Sequence, residues 1–367
     1  MRRGTQTQAP PPPNYRRRRL MAVVGLAIVI IITVLAVAGA LGGSGSPSRR
    51  VTATAGLSTT TTSQVRTTTT SRSRPKPLRP QAPYRVKRTA LALLEPATGS
   101  LANAKTSTGQ PVRALPTVVR YPAGAGPVPL IVFSQGYNYP AEGYAALLTA
   151  WARAGFVVAD PTYPDTDPST PGGPNESDIV NHPTDLRFVI SALIAAARRP
   201  SGPLHGRIDP GQIALAGQSD GGDVALATAA NTCCRDPRVK AAVILSGAEL
   251  AAFGGTYFGA PSPPLLVVQG DADPINIPGC SAALYGQAPA PKYYLDLLGA
   301  SHLPPYVTPG PTHDLVTQAV ISFLRYYLRH EPSALARLRR VANHPPIATL
   351  TTASSLTGRS TYCPGAP

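Results

Sequence analysis

Gly217-Gln218-Ser219-Asp220-Gly221 sets a serine between two glycines, after the apolar run Ile213-Ala214-Leu215-Ala216 and before a helix-like stretch from Asp223 to Ala230. That context predicts a strand-to-helix turn with Ser219 as a nucleophile at its apex. Gly217 and Gly221 are the elbow glycines. A sharp turn brings backbone segments so close that side chains two residues either side of the serine would collide. An unassisted hydroxyl is almost wholly protonated at neutral pH, so it needs a base within hydrogen-bond reach. His302, after Gly299-Ala300-Ser301, is the candidate, with His313 as its rival. An acid behind the imidazole would fix its tautomer and stabilise the imidazolium, and both Asp271 and Asp273 follow Gly270 at the end of an apolar run. Acyl transfer also needs donors aimed at the developing oxyanion. The run Pro129 to Ser134 breaks at Gln135-Gly136-Tyr137, which makes the N–H groups of Tyr137 and Asp220 the candidate hole; the Tyr137 ring would wall an acyl pocket.

Phe133-Ser134-Gln135-Gly136-Tyr137, Gly217-Gln218-Ser219-Asp220-Gly221-Gly222, Gly270-Asp271-Ala272-Asp273-Pro274 and Gly299-Ala300-Ser301-His302 resemble the successive signatures of the α/β-hydrolase superfamily. The resemblance covers roughly residues 88 to 330. It is most similar to the branch holding platelet-activating-factor acetylhydrolase-like, dienelactone hydrolase-like and cutinase-like polyesterase enzymes. It implies a mostly parallel central sheet flanked by helices and a serine, acid, histidine order along the chain. It also selects Asp273 over Asp271, because the acid in these enzymes stands three residues after the strand-ending glycine. Two departures matter: Gln135 stands where histidine often precedes the first glycine, and Ser219 replaces the cysteine of true dienelactone hydrolases. Ester hydrolysis through an acyl-enzyme is therefore the implied activity, on a small-molecule or polymeric ester, with no cofactor. The same residues suit an envelope acyltransferase, a serine peptidase or an inactive ligand-binding module.

The elements that must position these residues follow an alternating pattern typical of one α/β domain. Strand patterns cover 116–121, 129–134, 156–160, 213–216, 239–245, 264–270 and 293–298, and helical patterns lie near 141–154, 182–197 and 315–328. Residues 161–181, with prolines, adjacent glycines and several acids, read as an irregular loop at the catalytic end that shapes substrate entry. The catalytic domain is expected over 88–345, with a Thr/Ser-rich tail over 346–367 that wraps the surface or frays.

A formal net charge of +16 invites a nucleic-acid partner, but its distribution argues against one. No acid precedes Glu95; sixteen of the 34 basic residues lie in 1–88, and the other 18 balance all 18 acids. The positive charge therefore belongs to an N-terminal arm, and no nucleic acid is expected. Residues 20–41 are uncharged and apolar, long enough as a helix to cross a bilayer, and Arg16 to Arg19 directly precede them. A basic cytoplasmic tail (1–19), a transmembrane signal-anchor (20–41) and a disordered Ser/Thr/Arg/Pro-rich stalk (42–87) are expected. The catalytic domain would then lie outside the cytoplasm, either anchored at the cell membrane or secreted after signal cleavage. Cys233, Cys234, Cys280 and Cys363 in an exported domain suggest disulfides with three possible pairings. Adjacency makes a Cys233–Cys234 bond sterically awkward, and Cys363 is expected to tie the tail to the body. The six histidines lack metal-ligand spacing, so no metal is expected.

Overall fold

The computed structural model describes residues 83–367, and the expected cytoplasmic tail, transmembrane segment and nearly all of the stalk lie outside them. Among the described residues no helix is long and apolar enough to cross a membrane. They form an α/β structure around one ten-stranded, mostly parallel sheet. Six strands carry its centre: β4 (Val128–Ser134), β5 (Val157–Pro161), β6 (Ile208–Gln218), β7 (Val239–Leu245), β8 (Leu265–Gly270) and β9 (Lys292–Leu297). They lie in the order β5-β4-β6-β7-β8-β9, every neighbouring pair parallel. Each reads as an apolar run because it is covered on both faces, and β8 and β9 have no exposed residue.

Antiparallel strands finish both sides. On one side β1 (Val86–Pro96) pairs with β3 (Pro111–Pro122), which pairs with β5, while the short β2 (Ala104–Lys105) adds to β3. On the other, β10 (Ala348–Thr351) pairs with β9. The sequence patterns placed the β3 strand at 116–121 and did not anticipate β1, β2 or β10. These edge strands alternate buried or half-buried with exposed positions, and such half-polar strands resemble loop sequence.

Seven helices flank the sheet: α1 (Ala145–Arg153), α2 (His182–Arg198), α3 (Asp220–Ala230), α4 (Pro278–Gln287), α5 (Pro304–Val307), α6 (Pro311–Arg329) and α7 (Pro332–Ala342). The predicted helix at 141–154 opens with a 3₁₀ turn, Ala141–Tyr144, before α1. Two buried clusters form the core. One joins Leu186, Val189 and Leu193 of α2 and most of α3 to Leu215, Ile244 and Val267 of the sheet. The other joins Leu147, Leu148 and Trp151 of α1 and Val316, Phe323 and Leu324 of α6 to Ile131, Val243 and Leu266. Alternate residues of each strand thus serve opposite layers, which is how the strand's twofold repeat makes a three-layer fold.

Both disulfides form. Cys280–Cys363 ties the tail to α4 as expected. The expectation for Cys233 and Cys234 is corrected, since the adjacent pair is bonded. They lie on the turn after α3, where Asn231 Oδ1 accepts the Cys233 N–H at 3.0 Å and Asn231 O accepts the Cys234 N–H at 3.3 Å. That turn brings the two sulfurs together. The tail does not fray at its start either: β10 joins the sheet, and Arg359 forms an ion pair with Asp296.

Candidate active site

β6 ends at Gln218 and α3 begins at Asp220, so Ser219 alone makes the turn. Its φ of 56° and ψ of −129° are costly for a residue with a Cβ. The strain persists because the surroundings determine it: the Ser219 N–H bonds Leu245 O at 2.9 Å, and Ser219 O accepts the Gly222 N–H at 2.7 Å. The flanking glycines are sterically required. A Cβ on Gly217 would lie 2.0 Å from Gly221 O, and one on Gly221 would lie 2.0 Å from Ser134 O.

His302 follows β9 on a loop over the carboxyl edge of the parallel strands, and its Nε2 lies 2.9 Å from Ser219 Oγ. Its Nδ1 lies 2.8 Å from Asp273 Oδ2. That carboxylate is buried and fully engaged: Oδ1 accepts the N–H groups of Ile275 (2.9 Å) and Asn276 (3.1 Å), and Oδ2 accepts Gln269 Nε2 at 3.1 Å. A carboxylate held by several donors is fixed in position behind the imidazole. Asp271, in contrast, is exposed and caps the Gly299 N–H at 2.6 Å, away from the imidazole. His313 is buried at the start of α6 with neither ring nitrogen hydrogen-bonded, 3.6 Å from its neighbour Asp314. The hydrogen-bonded chain therefore joins Ser219, His302 and Asp273, from the ends of three strands, and leaves both rivals out.

The two proposed oxyanion donors flank the serine. A Cβ on Gly136 would come within 3.3 Å of Ser219 Cβ, so the Gly136–Tyr137 peptide passes directly beside Ser219. The Tyr137 hydroxyl donates to Pro174 O at 3.0 Å and pins its ring under the 161–181 loop. Asp220 stands at the first position of α3, where the helix leaves its N–H without an intrahelical acceptor. The acid side chain of Asp220 is unusual. Its Oδ2 is buried without a hydrogen bond, and burial, reinforced by Glu176, pushes its carboxyl up to about 7. Burial likewise holds the Asp223 carboxyl well above its ordinary range, with Asp220 adding to it.

Sequence reading missed the groups that brace this chain. Gln218 Nε2 lies 3.2 Å from both His302 Nε2 and His302 O, and its Oε1 accepts the Tyr144 hydroxyl at 2.7 Å. Gln269 is fixed in turn by Ser281, whose hydroxyl donates to Gln269 Oε1 at 2.6 Å. Two glutamines buried at strand ends were the available signal, because a buried amide must find partners. A second network clamps the 161–181 loop. Arg113 on β3 is buried and reaches Asp185 at 2.8 Å, Asp178 at 2.5 Å and Asp165 at 3.4 Å. His182 stacks on Tyr163 at 3.8 Å and bonds Asp178 at 3.2 Å. Among the described residues no group of three His, Cys, Asp or Glu side chains could hold a metal ion.

The chain matches no family model and no curated protein.

Proposed function

We propose that this protein is a serine carboxylic-ester hydrolase with an α/β-hydrolase fold. The single observation that carries the reading is the unbroken chain from Ser219 Oγ to His302 to Asp273, at 2.9 and 2.8 Å, on a strained elbow. Such strain is retained where it aims a side chain. His302 takes the Ser219 proton as the oxygen attacks the ester carbonyl, and the N–H groups of Tyr137 and Asp220 receive the oxyanion. The imidazolium returns that proton to the departing alkoxide. Water, activated by the same imidazole, then releases the acid and frees the serine. Asp273 holds the tautomer that presents a bare Nε2 to the hydroxyl.

Two disulfides support an oxidising compartment, and the N-terminal basic and apolar segments support a reading in which the catalytic domain lies on the outer side of a membrane. The deciding experiment is labelling with a fluorophosphonate together with hydrolysis of p-nitrophenyl esters of graded chain length. An activated serine reacts with the probe and turns over the esters. A protein that folds, fails to label and shows no hydrolysis of any ester in the series would refute the assignment.

A further inference from the structure

The described residues carry 21 basic and 18 acidic side chains, and the topology separates them unevenly. Strands β4 to β9 start at one edge of the sheet, here the amino edge, and end at the other, the carboxyl edge, where Ser219, Asp273 and His302 meet. α1, α2 and α3 each run back and finish at the amino edge, just before β5, β6 and β7 begin. α6 ends there too, since His330 Nε2 lies 3.3 Å from Gln212 Nε2 near the start of β6. Along this edge Arg85, Arg153, Arg198, Arg199, Lys240 and Arg337 are exposed. The carboxylates that share it, Asp209, Asp236 and Glu331, are partly or wholly buried, and Arg238 and Arg329 bond the last two. The carboxyl edge is closer to balance: it exposes Glu176, Asp271 and Asp314 against Lys105 and against Arg339 and Arg340 in the last turn of α7, which leads into β10 beside the end of β9.

Helix dipoles account for part of this, because acids favour helix starts and bases favour helix ends. They do not account for Arg85, which precedes a strand, Lys240, which lies within one, or Arg337, in the middle of α7. The described chain also begins at this edge. The Tyr84 N–H bonds Arg153 O at 2.9 Å, and the residues before it, 49–83, hold seven bases and no acid. An exposed basic face that continues into a basic arm is complementary to a negative surface. The uncharged apolar stretch 20–41 makes a bilayer the surface nearest to hand.

We propose that the arginine-rich amino edge rests on an anionic lipid surface and turns the Ser219 site toward the aqueous phase. α6, at 19 residues, spans about 28 Å between the two edges. That separation is several Debye lengths of roughly 8 Å, so the basic edge can hold lipid while the Ser219 site stays clear of it. As a consequence, which alone rests on the ester-hydrolase reading, the ester arrives from the aqueous side and is not drawn from the bilayer that carries the enzyme.

The test uses the full chain reconstituted in vesicles of phosphatidylcholine, or of phosphatidylcholine with roughly one-third phosphatidylglycerol. All native cysteines are paired, so a donor dye on Ser333→Cys reports the amino edge and one on Pro171→Cys reports the carboxyl edge. Energy transfer to headgroup-labelled lipid should be at least about threefold stronger from position 333 in the anionic vesicles. The gap should collapse in pure phosphatidylcholine, in about 0.5 M salt, and in the R153Q/R198Q/R199Q/R337Q variant. Equal transfer from both positions in anionic vesicles, or an undiminished gap in neutral ones, would overturn the proposal. No gap in anionic vesicles together with tight binding of polyglutamate by the same arginines would assign the edge to a soluble polyanion and overturn the proposal as well. Ser219→Ala should leave the orientation unchanged, which separates this result from the outcome of the esterase assay.

Discussion

Ser219 occupies a backbone conformation that only its neighbours make tolerable, and this gives the sharpest mutational contrast in the molecule. Ser219→Ala should fold with an unchanged melting temperature and lose roughly three to six orders of magnitude in kcat with p-nitrophenyl acetate, since an assisted nucleophile acts as a unit with its base. Gly221→Ala should instead fail to give folded protein, because its Cβ would lie 2.0 Å from Ser134 O and 2.5 Å from Gln135 O, both backbone atoms that cannot swing aside. Gly286→Ala, with nothing within 4 Å of the added carbon, is the control and should be neutral or stabilise α4 by up to about 1 kcal/mol. Circular dichroism and thermal melts of the three variants distinguish loss of chemistry from loss of fold. Asp220 provides a pH signature. Its folded carboxyl is raised from 3.8 to about 7, so the folded state binds the proton more tightly than the unfolded chain does. Its contribution to stability is complete below about 3.8 and is lost as pH rises to about 7. Asp220→Asn should therefore melt roughly 2–5 °C above the wild type at pH 8 and close to it at pH 4, provided the amide fits the carboxyl's place.

At the scale of elements, the 161–181 loop lacks regular structure apart from the 3₁₀ turn Glu176–Asn181, and its position depends on buried charge. Thr166 O accepts the Asn138 N–H at 2.9 Å, Pro174 O accepts the Tyr137 hydroxyl, and Arg113 gathers Asp165, Asp178 and Asp185 beneath the loop. Removing one partner from a buried ion cluster leaves the rest uncompensated, so Arg113→Leu should cost about 3–5 kcal/mol in urea denaturation. Because the loop pins Tyr137 beside the nucleophile, KM for esters should rise in the fraction that remains folded. The C-terminal tail depends on a covalent link. The Cys280–Cys363 bond closes a segment with a sequence separation of 83 residues, for which a chain-entropy treatment gives about 4–5 kcal/mol. Cys363→Ser should lower stability by roughly 2–4 kcal/mol and expose the tail beyond β10 to limited proteolysis, with intact-mass analysis showing loss of the terminal residues first.

For the whole molecule, the two sheet edges differ. The hydrogen-bonded chain of Ser219, His302 and Asp273 lies at the carboxyl ends of the strands, where loops are free to vary over a rigid support, and the described chain begins at the opposite edge. Activity measured on the full chain in vesicles should therefore respond little to lipid charge when the ester is soluble. A tenfold or greater rise in hydrolysis of water-soluble esters on adding phosphatidylglycerol would mean that the site contacts lipid.

Much of this was legible before any tertiary structure. The fully buried strands announce themselves as apolar runs, and Ser219, His302 and the carboxylates after Gly270 each follow one of them. Strand ends aim side chains at a common edge, so residue types at those ends reveal chemistry that spacing along the chain cannot. Tertiary contacts decided the rest. Asp271 and Asp273 are two residues apart with the same side chain, and only packing made one a buried acceptor for His302 and the other a surface cap. The bracing by Gln218 and Gln269, the clamp around Arg113 and the edge strands β1 and β10 join residues distant in sequence. Local patterns carry no record of such pairings, because a polar side chain or a half-exposed strand acquires its partner only when the chain closes on itself.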